Sequence, residues 1–172
     1  LNHTNEKDRF IAILRENKGI LLKVIRSYCK NAEDWRDLEQ EIVIQLWKSL
    51  RSYNQQCKLS TWIYRVALNV AISHYRKTKK QSNHASLDEA IFIVAEDDVS
   101  EYHSRRDFLY NFINTLDEMN KALIILHLED HSHKEISDIL GISEGNVATK
   151  INRIKNKCRN AIQHNYDYTR SN

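Results

Sequence analysis

Proline is missing from this sequence and glycine occurs only three times, where average usage over such a length gives roughly eight and twelve. Both residues punctuate turns and β-hairpins, so their scarcity excludes a hairpin-rich fold and predicts a nearly all-helical one. No apolar run approaches the roughly 18 residues of a membrane span, and no charged-then-apolar-then-small pattern marks a signal peptide. The three cysteines, Cys29, Cys57 and Cys158, are odd in number, far apart and outside CxxC spacing. That argues against a disulfide framework or zinc knuckle and suits a reducing, cytoplasmic setting.

What is present is charge, unevenly spread. The chain is 28% charged and 41% hydrophobic, which is globular rather than disordered composition. The net charge is only +3. Residues 1–80, however, carry 16 basic and 8 acidic side chains, and residues 81–103 carry six acidic and none basic. Residues 144–163 carry five basic and one acidic. Basic blocks on two separated segments are the footprint of a polyanion binder, or simply solvated helix faces.

Apolar residues recur at helical spacing. Phe10, Ile13, Leu14, Leu21, Val24 and Ile25 predict a first amphipathic helix. Leu38, Ile42, Leu46 and Leu50, with Trp35 and Trp47, predict a second, opened by the acidic Glu33 and Asp34. A third runs from about Leu59 to Lys79 through Trp62, Ile63, Val66, Val70 and Ile72. Further helices are expected over 108–116, 119–128, 133–140 and 144–162. The acidic, polar stretch between the two groups reads as a flexible linker. The expected architecture is therefore all-α: one small helical domain over 5–80, a linker over 81–103, a second domain over 104–165, and a tail over 166–172.

The stretch HLEDHSHKEISDILGIS, residues 127–143, sets His127, His131 and His133 among carboxylates. Its order is H-x-E-x-H rather than the HExxH or HxxEH of helical zinc sites. A helix boundary near Asp130 would also part His127 from His133. The apolar positions Ile136, Ile139, Leu140, Ile142, Val147 and Ile151 around a lone Gly141 instead spell a helix-turn-helix. Ser137 lets the helices approach, Ile142 fills the core, and Ser143 caps the second helix. That helix buries Val147, Ile151, Ile154 and Cys158. Its other face presents Asn146, Thr149, Lys150, Asn152, Arg153, Lys155 and Lys157, side chains that bond base edges and phosphates in a major groove.

LDEMNKALIILHLEDHSHKEISDILGISEGNVATKINRIKNKCRNAI, residues 116–162, resembles region 4 of bacterial sigma factors of the extracytoplasmic-function (ECF) type. The resemblance implies that the second helix reads the promoter −35 element through Ser143, Asn146, Thr149, Lys150, Asn152, Arg153 and Lys155. Asp117 stands where that family usually has proline. Ala148 stands where it usually has a basic residue, a character Lys150 keeps two positions on.

EDWRDLEQEIVIQLWKSLRSYNQQCKLSTWIYRVALNVAISHYRKTKK, residues 33–80, resembles region 2 of the same family. Asp37, Gln40, Glu41 and Ile44 share one helix face away from the apolar stripe, a face that solubility alone could explain. The resemblance makes Asp37, Gln40, Glu41 and Trp47 contacts to RNA polymerase core, with Trp47 also open to a packing role. The polar loop 51–60 leads into a helix with aromatic and amide residues first and five basic residues between Arg65 and Lys80. Aromatic rings with nearby cations suit single-stranded DNA, although Trp62 and Tyr64 are equally core candidates. By resemblance, the loop holds a flipped −10 base and the helix reads and opens that element. The implied contacts are Tyr53, Asn54, Lys58, Ser60, Arg65, Asn69, Arg76, Lys77 and Lys80.

The chain is thus identified as resembling an alternative sigma factor of the sigma-70 family, without catalytic residues, metal or cofactor. Its expected partners are RNA polymerase core, through the β′ clamp and β flap, and promoter DNA, with an anti-sigma factor as a candidate third. Two rivals stand beside this reading. A stand-alone helix-turn-helix regulator would need an apolar dimer face beyond the recognition helix. A metal-dependent hydrolase would need a convergent ligand cluster.

Overall fold

A computed structural model describes the backbone of residues 2–29, 31–82 and 101–170. Among the described residues all regular structure is helical. It comprises α1 (Asn2–Glu16), α2 (Lys18–Tyr28), α3 (Ala32–Ser49), a 3-10 turn (Leu50–Ser52), α4 (Leu59–Ser82), α5 (Glu101–Asn114), α6 (Glu118–Leu128), α7 (His133–Leu140) and α8 (Glu144–Arg170). Two compact units divide the chain, Leu1–Leu87 and Asp88–Asn172.

The first unit is built on three mutually packed helices, α2, α3 and α4, with α1 against α2. Leu21, Val24, Ile25 and Tyr28 bury one side of α2, and Leu38, Ile42 and Leu46 one stripe of α3. α4 contributes Trp62, Ile63, Ala67, Leu68, Ala71 and Ile72. Asn31 starts α3 by accepting the Asp34 N–H at 2.8 Å, which satisfies one donor the helix cannot pair internally.

One expected helix is in fact two. The apolar pattern from Phe10 to Ile25 runs straight through, yet α1 stops at Glu16 and α2 starts at Lys18. Asn17 adopts φ −107°, ψ 16°, and its side-chain Nδ2 donates to the Ile13 carbonyl at 2.9 Å. Asparagine competes with the helix for its own carbonyls, and here it interrupts the helix. The expected linker also shrinks from both sides, since α4 continues to Ser82 and α5 begins at Glu101. The rest of that linker, 83–100, lies outside the described residues.

In the second unit α6, α7 and α8 pack on one another and α5 packs on α6. Asp117, at the usual proline position, caps α6 by accepting the Asn120 N–H at 2.8 Å. A reciprocal capping box opens α7: Ser132 Oγ accepts the Glu135 N–H, and Glu135 Oε2 accepts the Ser132 N–H at 2.9 Å. Gly141 ends α7 at φ +69°, donating its N–H to the Ser137 carbonyl. Ser137 does more than stay small, because its hydroxyl donates to the Ile142 carbonyl at 2.6 Å. Ser143 then accepts the Asn146 N–H at 3.3 Å and starts α8. Ile142 is only half-buried, and α8 carries on past residue 162 through most of the expected tail to Arg170.

The two glycines around this turn should respond oppositely to an added methyl group, since neither has a neighbour within 4 Å of a new Cβ. Gly141→Ala forces a side chain into the left-handed region and should cost about 1–2 kcal/mol. Gly145→Ala, inside the first turn of α8, should instead stabilise by roughly 0.5–1 kcal/mol. Equilibrium urea unfolding of the two variants should shift the midpoint in opposite directions.

Candidate nucleic-acid interface

Because α3 spends its apolar stripe on the core, the side carrying Asp37, Gln40, Glu41 and Ile44 is exposed. Trp47 is divided between two roles. Its ring meets Phe10 edge-on at 5.0 Å, and 38% of the residue still faces solvent. Both roles left open for it are therefore available at once.

Glu41 is also tied to another helix. Its Oε2 lies 3.3 Å from Nδ1 of His74 on α4. Beside this pair, an open groove runs between α3 and α4, walled by Glu41, Ile44, Gln45 and Ser49 on one side and Val66, Asn69, Val70 and Ser73 on the other. Glu41 and Asn69, expected to serve different partners, thus face one groove.

The loop before α4 is held by its own residues. Tyr53 donates its hydroxyl to the Cys57 carbonyl at 2.7 Å and packs on Trp62 with ring centroids 5.1 Å apart. Trp62 is buried, and so is Tyr64, which places both in the core. Gln55 sits at φ +61°, and the exposed Asn54 accepts the Gln56 N–H at 3.3 Å. Lys58 is exposed and Ser60 half-buried in the first turn of α4. A two-pronged pair braces the loop's entrance, with Arg51 Nε and a terminal nitrogen donating to the two oxygens of Glu6 at 2.9 and 3.1 Å. Sequence reasoning missed this pair and the His74 contact alike.

Along α4, Arg65 is half-buried, with its Nε enclosed and without a hydrogen-bond partner among the described residues. Asn69, Arg76, Lys77 and Lys80 are exposed. At 1.5 Å per residue, Asn69 and Lys80 stand about 16 Å apart along the axis, too far to meet the same nucleotide. The amide and the cationic end therefore address different parts of a strand.

On α8, Val147, Ile151 and Ile154 are buried, while Cys158 is half-buried with its thiol pushed up by burial. Asn146, Thr149, Asn152, Arg153, Lys155 and Lys157 form the exposed face. Lys150 and Ala148 are half-buried rather than fully displayed. Thr149 donates its hydroxyl to the Gly145 carbonyl at 2.9 Å, so it offers a ligand an acceptor rather than a donor. Ser143 likewise spends an acceptor site on its cap.

The three histidines fall on separate elements: His127 in α6, His131 in the turn and His133 at the start of α7, with Asp130 at φ +58° between them. His131 Nδ1 approaches Glu135 Oε2 at 3.9 Å, beside the capping box. Among the described residues, no group of three His, Cys, Asp or Glu is placed to hold a metal ion, and no helix is long and apolar enough to cross a membrane.

Residues 13–81 match the Sigma-70 region 2 family and residues 109–158 the Sigma-70, region 4 family. The chain is 25% identical over 170 residues to the ECF RNA polymerase sigma factor SigW of Bacillus subtilis (strain 168), covering 92% of this chain and 91% of that protein. It is 27% identical over 154 residues to the RNA polymerase sigma factor YlaC of the same strain, covering 87% and 89%. In fold it is similar to the sigma factor RpoE solved in complex with the anti-sigma factor NepR from Bartonella quintana, at a TM-score of 0.65 and 17% identity over 91% of this chain and 96% of that one. CnrH, solved in complex with the cytosolic domain of CnrY, gives the same TM-score at 18% identity, over 92% and 90%.

His127 supplies a pH test of the second unit. Burial lowers its pKa from the ordinary histidine value of 6.5, helped by Lys155 and His133 and opposed by Asp130. The folded protein therefore disfavours the protonated ring. Well above pH 6.5 the residue is neutral in both states and contributes no pH dependence. As pH falls through that value the unfolded chain takes up the proton first, and stability is lost. Urea midpoints measured at about pH 7.5 and pH 5.5 should drop less for His127→Gln than for the wild type. An equal drop would assign the titration to another group.

Proposed function

Because the chain belongs to the sigma-70 family of RNA polymerase sigma factors, as a member of the ECF type, we propose that its two units divide promoter recognition between them. As a sigma factor it binds RNA polymerase and directs promoter-specific initiation through region 2 and region 4. In the proposed division, the exposed side of α3 (Asp37, Gln40, Glu41, with Trp47 beside it) meets the β′ clamp of the core enzyme. The 51–60 loop and α4 take the −10 element as a single strand, and α8 enters the major groove at −35 while its unit lies against the β flap.

The observation that carries this reading is the division of chemistry within the first unit. An acidic and apolar face lies on α3, and an amide followed by four exposed cations lies along α4. One small bundle can thus hold a protein partner and a nucleic acid at once. The exposed Asn54 and the open loop suit a flipped base, whose unstacking costs a few kcal/mol that its contacts must return. Arg76, Lys77 and Lys80 suit phosphates, which fix position without reading sequence. On α8, Asn146, Asn152 and Arg153 suit base edges, and Lys155 suits phosphate. In this reading each unit alone binds weakly, and tethering both through polymerase adds their binding free energies. An anti-sigma factor is a third partner in this reading, supported by the complex of RpoE with the anti-sigma factor NepR.

Charge reversal of Asp37 and Glu41 together should abolish association with polymerase core while thermal unfolding stays near that of the wild type, because both side chains are exposed. Wild-type core affinity in that variant would remove α3 from the interface.

The two DNA-binding roles separate on one promoter by permanganate footprinting with reconstituted polymerase. Arg153→Ala should weaken and relax −35 selection, by about 1–3 kcal/mol per base pair read, and leave the position of strand opening unchanged. Asn54→Ala should keep −35 engagement and lose opening at −10. The reverse pattern would exchange the roles of the two units.

A further inference from the structure

We infer that His74 is a positioning residue for polymerase engagement, holding the Glu41 carboxylate across the α3–α4 groove in the orientation the core enzyme meets. The inference rests on the proposed role of Glu41 as a core contact and adds a residue on a different helix, 33 positions away in sequence.

The two ends of the contact differ in freedom. The Glu41 side chain is 49% exposed, whereas that of His74 is only 15% exposed. A glutamate on an open helix face samples many rotamers, and fixing it in one of them costs side-chain entropy. A partner that finds the carboxylate already held avoids part of that cost. His74 can hold it because its own ring is largely enclosed. Nδ1 faces Glu41 Oε2, while Nε2 is buried with no hydrogen-bond partner among the described residues. An enclosed N–H at Nε2 would be unsatisfied, which favours the tautomer that carries its proton on Nδ1 and donates it to the carboxylate. A carboxylate accepts at both oxygens, so engaging Oε2 leaves Oε1 to meet a cation or donor of the partner.

The placement also joins the two functions of the first unit. His74 stands between Asn69 and Arg76 on the helix assigned to −10 DNA, and Ser73 and Asn69 share the groove with Glu41. The contact therefore ties the polymerase-facing side of α3 to the DNA-facing helix.

The test uses the full chain and purified RNA polymerase core, with core affinity and thermal melting measured for Glu41→Ala, His74→Ala, His74→Asn, His74→Gln and the Glu41→Ala/His74→Ala double variant. Asparagine places an amide nitrogen where Nδ1 was, and glutamine reaches toward the Nε2 position instead. Core affinity should fall about three- to tenfold for His74→Ala, the share of the Glu41 rotamer cost that the contact had already met, and by no more than it falls for Glu41→Ala. His74→Asn should restore most of the loss and His74→Gln should not. Adding His74→Ala to Glu41→Ala should change nothing further. A merely structural role predicts another order, because glutamine is the better helix former and should melt at least as high as asparagine.

Wild-type affinity for Glu41→Ala would overturn the proposed core contact and this inference with it. A loss for Glu41→Ala combined with wild-type affinity for His74→Ala would overturn the role of His74 alone. So would a failure of asparagine to restore binding, or restoration by glutamine to the same degree.

Discussion

The packing of α3 on α4 is the constraint on which the first unit's surface depends. Leu38, Ile42 and Leu46 form a stripe one residue wide, and Ala67 and Ala71, both fully buried, keep α4 slim within the core. A narrow stripe commits little of α3's circumference, so Asp37, Gln40, Glu41 and Ile44 remain outside. α4 is buried only along its first half. Beyond Ile72, Tyr75 meets Tyr28 edge-on at 6.2 Å, and Arg76, Lys77, Lys79 and Lys80 are exposed. The display of charge on both helices thus follows from where their burial ends.

In the second unit the corresponding constraint is the turn between α7 and α8. Only a residue tolerant of positive φ can end α7 where Gly141 does. The Ser137 hydroxyl then reaches across to the Ile142 carbonyl, and Ser143 begins the next helix at once. With so few residues between them, the two helices have little freedom of crossing angle, and the exposed face of α8 is aimed by the turn rather than by its own composition. The capping box at Ser132 and Glu135 secures the other end of α7.

Much of this was legible because its causes are local. Apolar spacing with a lone Gly141 after it marked α7 over 133–140, the bounds it has in the structure. Apolar spacing identified α3 and the buried half of α4. What stayed illegible had a cause that spacing does not carry. The break at Asn17 arises from one side chain bonding its own helix while the apolar pattern runs on undisturbed. The continuation of α8 to Arg170 lies in a polar stretch with no stop signal. Trp47, half against Phe10 and half exposed, follows no single rule of spacing.

The sequence by itself determined the helical class, the helix-turn-helix, the segregation of charge, and which faces of α3 and α8 would be polar. These follow from the period of the helix and from residues within one turn of each other. Only the tertiary structure decided that Glu41 faces His74, that Asn69 looks into the same groove, that Arg51 reaches Glu6, and that Trp62 belongs to the core beneath Tyr53. Each of those contacts joins separate segments of chain, Arg51 and Glu6 being 45 residues apart. Their existence depends on how far each helix is rotated and slid against its neighbour. Periodicity names the face a residue occupies, whereas the meeting of two particular side chains requires the packed core that sets both helices in register.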